Sequence, residues 1–183
     1  MRRIISGLFM SLDGVTESPD KFTFPYFSDE VGQVIQSNMD KADTMLLGRR
    51  TYEEFAAYWP DKTAEDDPFA DYINNVPKLV ASRTLKKLEW RNSTLIQGDV
   101  VEELTKLKQQ PGKDIVTTGS LTLVGSLLAA GLVDELGLIV CPVVLGSGKR
   151  LFETSAGEVP LKLVDSRALS NGVLSLTYEG ARA

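Results

Sequence analysis

Two short runs in this chain join small residues to hydroxyls and cations: Gly48-Arg49-Arg50-Thr51 and Thr117-Thr118-Gly119-Ser120. In the first, glycine lets an anion approach the backbone, Thr51 offers a hydroxyl, and Arg49 and Arg50 offer charge and paired donors. The second is a small-residue turn of the kind that cradles a pyrophosphate. Plain helix capping and close helix–strand packing would use the same residues, so spacing alone leaves both readings open. Ser82-Arg83 follows a third apolar run. An arginine there is either surface charge or a grip on a ribose 2′-phosphate, which selects NADP over NAD.

Asp13 follows the first apolar run and is the candidate proton donor. A partly buried carboxyl with a raised pKa can act as an acid; the competing reading is that Asp13 orders its turn. Gly146-Ser147-Gly148-Lys149-Arg150 is not a P-loop, because the pattern needs glycine where Val143 stands and a hydroxyl where Arg150 stands. It reads as a glycine turn.

What is missing narrows the chemistry. The chain has 183 residues, no histidine and one cysteine, Cys141. That excludes histidine triads, histidine metal sites and cysteine zinc clusters, so no metal is expected. Cys141 lies in an apolar run and reads as core. Twenty basic against 25 acidic residues give a net charge of −5. An acidic chain without basic runs is a poor binder of nucleic acid. The apolar stretch 121–145 contains Asp134 and Glu135, which argues against a membrane span. The run after Met1-Arg2-Arg3 reads as a strand and not a secretory leader. A cytoplasmic enzyme or binding domain, spanning 1–183 as one unit, is the expectation.

The elements that must position these residues follow from periodicity. Residues 3–10 read as a buried strand. Ser28 caps a helix with Val31, Val34, Ile35 and Met39 on one face. Residues 44–47 form a strand, and Thr51-Tyr52-Glu53-Glu54 has the form of a capping box opening a helix that Trp59-Pro60 stops. Residues 61–71 read as a charged loop. Strands follow at 78–81 and 93–97. Asp99 caps a helix ended by Pro111-Gly112. A strand at 114–118 runs into a helix over 120–130, and residues 135–145 are strand-like. Asn171-Gly172 between alternating runs predicts a type I′ hairpin. The result is an α/β fold: a twisted, mostly parallel mixed sheet flanked by helices in three layers, ending in an antiparallel hairpin.

Taken in order, Met10-Ser11-Leu12-Asp13-Gly14, Leu47-Gly48-Arg49-Arg50-Thr51-Tyr52, Ala81-Ser82-Arg83, Gly119-Ser120 with Leu127-Leu128, Leu132-Val133-Asp134-Glu135-Leu136 and the run 142–152 resemble the dihydrofolate reductase-like superfamily. The nearer likeness is to the reductase domain of bacterial riboflavin biosynthesis. The resemblance spans almost the whole chain. It implies NADPH as cofactor, a small heterocyclic substrate and a homodimer. Gly48, Arg49, Arg50 and Thr51 would contact the cofactor phosphates, and Ser82 and Arg83 would lie near the 2′-phosphate. Thr118, Gly119, Ser120 and Leu121 would line the pyrophosphate and nicotinamide. Asp13 and Gly14 would border the nicotinamide and substrate, with Lys149 beyond a strand end near the substrate side. Asp29 and Glu30 lie where dihydrofolate reductases carry the carboxylate that holds the pterin ring. The family often has glycine where this chain has Thr118, and the deaminase half of the riboflavin enzyme is absent from this sequence. The implied activity is hydride transfer to a C=N or C=O of a heterocycle or ribosylaminopyrimidine. A dihydrofolate or pteridine reductase and a non-catalytic nucleotide-binding protein of the same fold are the alternatives.

Overall fold

The structure is a computed structural model that describes residues 1–153 and 157–180. Its centre is an eight-stranded sheet in the order β4-β3-β2-β5-β1-β6-β8-β7. The strands are β1 (Ile4–Ser11), β2 (Ala42–Gly48), β3 (Lys78–Ala81), β4 (Ser93–Leu95), β5 (Asp114–Thr117), β6 (Glu135–Cys141), β7 (Leu161–Ala168) and β8 (Leu174–Gly180). β1 to β6 run parallel, and β8 and β7 close one side antiparallel. Because β1 to β6 are parallel, their C-terminal ends share one rim, and the helices that follow β2 and β5 start there.

The α-helices are α1 (Asp29–Lys41), α2 (Arg49–Tyr58), α3 (Ala70–Asn75), α4 (Val100–Lys108) and α5 (Leu121–Ala129), of which α2 follows β2 and α5 follows β5. Alternation along the strands decides which layer each residue feeds. Ile4, Leu8, Leu46, Ile115 and Leu136 pack on Leu104 of α4 and on Val124, Leu127 and Leu128 of α5. Met45, Leu47 and Val80 pack on Met39, Tyr52 and Ile73 from α1, α2 and α3. β2 is therefore buried on both faces, which is why 45–47 is an unbroken apolar run and not an alternating one.

Ionic ties fasten the strand starts. Lys108 Nζ lies 2.5 Å from Asp134 Oδ2, with both side chains mostly buried, and the same carboxylate accepts the Ile4 N–H at 2.7 Å. Arg2 pairs with Asp43 and also donates to Thr44 Oγ1 at 2.7 Å.

The caps at Ser28 and Asp99 form as predicted; Ser28 accepts from Val31 N, and Asp99 from Val101 N and Glu102 N. Thr51 is not a cap. α2 begins at Arg49, with Gly48 in the N-cap position. The 61–71 segment is not all loop, because α3 starts at Ala70, anchored by the buried Ile73. β6 stops at Cys141 because Pro142 has no N–H to continue the ladder. The terminal hairpin turns at Asn171-Gly172, but of these only Gly172 has positive φ, +83°. Leu169 N bonds Val173 O, and Gly172 N bonds Leu169 O. This is a three-residue loop ending in a glycine bulge, not the two-residue type I′ turn. Among the described residues no helix is long and apolar enough to cross a membrane.

Candidate functional site

The first site is a cleft of about 530 Å³ on the shared strand rim. Gly48, Arg49 and Arg50 reach it from the start of α2, Ser82 and Arg83 from the end of β3, and Ser120 from the start of α5. Three helix N-termini meet there, those of α2, α4 and α5. Each offers unpaired N–H groups and the positive end of a helix dipole.

Two junctions are pressed together to make its floor. A Cβ on Gly48 would lie 2.3 Å from Ser120 Oγ and 2.7 Å from Ser120 N. The Gly48 N–H donates to the Gly119 carbonyl at 2.9 Å. Gly119 has φ +147°, and a Cβ there would meet Thr51 Oγ1 at 2.6 Å. Only glycine fits either position. Ser82 Oγ accepts from Thr84 N at 3.2 Å and Leu85 N at 3.0 Å, which fixes the turn carrying Arg83. Arg49 pairs with Glu53 one helical turn on, at 3.0 Å, an exposed contact that can yield to a ligand.

The cleft thus gathers six of the ten expected cofactor residues. Thr51 is buried beneath it against Gly119, and Leu121, the first residue of α5, packs half-buried against the core. Gly119 is buried under the floor, and Thr118 faces a different cavity. The sequence reading missed Gly98 and Asp99, which bring the third helix start into the cleft. The rule that found the other two junctions applies here too, since Gly98-Asp99 follows a strand and opens a helix.

Asp13 does not fit the role of proton donor. Its carboxylate accepts from Leu145 N at 3.0 Å, Gly146 N at 2.9 Å and Ser11 Oγ at 2.7 Å. These bonds, led by the Leu145 N–H, hold the carboxyl far below the usual carboxylate range. Asp13 is instead a clasp that ties the end of β1 to the glycine turn after β6. Arg150 reinforces it by donating to the Asp13 carbonyl at 2.9 Å, and Gly14, with φ +87°, packs under the Arg150 side chain. Lys149 belongs to the same clasp, paired with Glu17 at 3.5 Å. The Glu17 carboxyl is pulled down mainly by the Lys149 N–H, with Lys149 and Arg50 adding positive charge.

Neither carboxylate of α1 is where a ring-binding group was expected. Glu30 accepts from the backbone N–H of Ser170 at 2.9 Å and from its hydroxyl. It fastens the hairpin turn, and these bonds, the hydroxyl first, lower its carboxyl. Asp29 is exposed in the first turn of α1.

A second cavity, about 260 Å³, lies between the sheet and α1 to α3. Gly7 and Phe9 of β1 form its floor, with Ile35 and Asn38 of α1, Phe55 of α2, and Trp59, Asp67 and Phe69 around it. Thr118 lines this cavity while Ser120 lines the cleft, so one turn of three residues separates the two spaces.

Comparison with known proteins agrees with this architecture. The chain matches the family model of the RibD C-terminal domain over residues 2–175. It is 33% identical over 183 residues to the uncharacterized protein YyaP of Bacillus subtilis (strain 168), covering 97% of this chain and 94% of that one. A Shewanella sp. PV-4 crystal structure, provisionally named a riboflavin biosynthesis protein, superposes with a TM-score of 0.79 at 20% identity, covering all of both chains. Dihydrofolate reductase from Enterococcus faecalis, complexed with NADP(H), superposes with a TM-score of 0.65 at 15% identity, covering 98% of this chain and 97% of that one. With a dihydrofolate reductase-like sheet and a family match running from Arg2 to Ser175, the chain belongs to the RibD C-terminal domain family.

Proposed function

We propose that this protein is an NADPH-dependent reductase of the riboflavin-pathway type, acting on a small flat heterocycle. The observation that carries this reading is the adjacency of the two spaces: an arginine-edged cleft with three helix starts, and an apolar cavity across one turn. The cleft fits a phosphorylated dinucleotide. Its glycine floor lets the backbone approach a pyrophosphate, and Arg83 is exposed on a turn held by Ser82. The fold relative from Enterococcus faecalis is complexed with NADP(H), which supports the same choice.

Bound there, NADPH supplies a hydride to an electrophilic C=N or C=O carbon. The chain's own part is orientation and exclusion of water. The starts of α2 and α5 would hold the pyrophosphate, Arg49 and Arg83 would neutralise phosphate charge, and the Thr118–Ser120 turn would position the acceptor. The heteroatom that receives the electron pair takes its proton from water, since Asp13 is spent on its clasp. No histidine, thiolate or metal is needed.

Calorimetric titration with NADPH and NADH tests this. Arg83→Ala should weaken NADPH about tenfold and leave NADH nearly unchanged, the loss of one charge-assisted phosphate contact. Equal losses would remove the 2′-phosphate assignment, and no binding of either nucleotide to the unaltered protein would remove the reductase reading.

A further inference from the structure

The acceptor cavity has a chemical character of its own. Phe9, Phe27, Phe55, Trp59 and Phe69 line it, so it presents aromatic faces to whatever enters. Its volume of about 260 Å³ suits one or two fused rings. Among the described residues lining it, one carries a charge, and that charge is negative: Asp67. Asp67 is held in place, because its Oδ1 accepts the Phe69 N–H at 2.9 Å and its carbonyl accepts the Ala70 N–H at 3.0 Å. It stands at the entry to α3, whose Ile73 is locked in the core.

We infer that the part of the acceptor that enters this cavity is a flat, unphosphorylated ring, neutral or positively charged, and that Asp67 sets this preference. The inference rests on the reductase reading and narrows its substrate. A phosphate would bring negative charge into an apolar space that offers a carboxylate and no lysine or arginine to balance it. A neutral ring stacks on the aromatic walls at no such cost. A protonated amino-heterocycle gains both the carboxylate and the ring faces. Asp67, and neither carboxylate of α1, is thus the specificity-determining acid.

Three flat two-ring probes of similar size test this: 1-naphthol, N-methylquinolinium and 1-naphthyl phosphate, titrated calorimetrically into the full chain. The neutral and cationic probes should bind at least about tenfold more tightly than the phosphate. Asp67→Asn keeps an acceptor for the Phe69 N–H and should bring the cation down to the affinity of 1-naphthol. Asp67→Lys should raise the affinity for 1-naphthyl phosphate about tenfold. Circular dichroism confirms that each variant is folded. Binding of the phosphate by the unaltered protein as tightly as the neutral ring, probe ratios unchanged in both variants, or no binding of any probe would each overturn the inference. NADPH titration of the same samples is read separately, so a failure of the cofactor site is not mistaken for a failure of the acceptor site.

Discussion

Gly48 has φ −74° and ψ 160°, a backbone that alanine adopts without strain. The cost of a side chain there is therefore purely the collision with Ser120. Gly48→Ala should lose about 1–3 kcal/mol of stability in urea denaturation, the usual penalty of overpacking, and NADPH affinity should fall with it. Ser120→Gly in the same chain removes the clashing Oγ and Cβ but leaves the backbone N, 2.7 Å away, so it should restore part of both; no recovery would mean that the backbone contact carries the strain. The sequence made this residue legible as a glycine at a strand end, but not the reason for it. Its partner lies more than seventy positions away, and local pattern carries no record of that contact. Asp13 shows the same limit. Its position after β1 was readable, whereas the N–H groups of Leu145 and Gly146 that consume its carboxylate arrive from the far side of the chain. Asp67 gave no signal at all, being one acid in a charged stretch that looked like open loop.

At the scale of elements, the parallel strands and every α-helix but α3 were written plainly in periodicity, and the two side-chain caps at Ser28 and Asp99 formed where predicted. What periodicity hides is a charged residue inside an element. Lys78 opens β3 and is only 1% exposed. Its Nζ donates to the carbonyls of Val76 at 2.9 Å, Asn74 at 3.2 Å and Arg91 at 3.4 Å, and lies 4.2 Å from the centre of the Trp90 ring. It closes the end of α3 while its stem fills the core. Burial, with the Arg91 charge adding, brings its pKa down to about 8. The unfolded lysine titrates near 10.4, so between roughly pH 8 and pH 10 the unfolded chain binds the extra proton and the folded state gains stability as pH rises. The stability of the unaltered protein relative to Lys78→Met should therefore increase across that window in urea melts. A flat difference would mean that Lys78 titrates alike in both states.

Across the whole molecule, the sheet is built from distant segments, and Asp134 is where three of them meet. It joins the start of β6 to Lys108 at the end of α4 and to the backbone of Ile4 in β1. Removing it leaves a buried ammonium with the Leu132 carbonyl, at 3.1 Å, as its remaining partner. Asp134→Ala should cost about 3 kcal/mol or more in denaturant unfolding. Adding Lys108→Met should return part of that loss, because the unpaired charge goes with it. If the double variant were no more stable than the single, the Ile4 bond rather than the ion pair would carry the effect.

The turn of Thr118, Gly119 and Ser120 has one further consequence, which concerns thermodynamics and not contacts. One short segment is the wall of both the cleft and the aromatic cavity, so a ligand on either side fixes the same backbone. Whatever ordering cost the first ligand meets in that wall, the second does not meet again. The two affinities are thereby linked, and the factor by which dinucleotide strengthens acceptor binding must equal the factor by which acceptor strengthens dinucleotide binding. A turn that reads in the sequence as a small-residue junction is, in the folded protein, a wall shared by two spaces, and under the proposed function it couples the two binding equilibria.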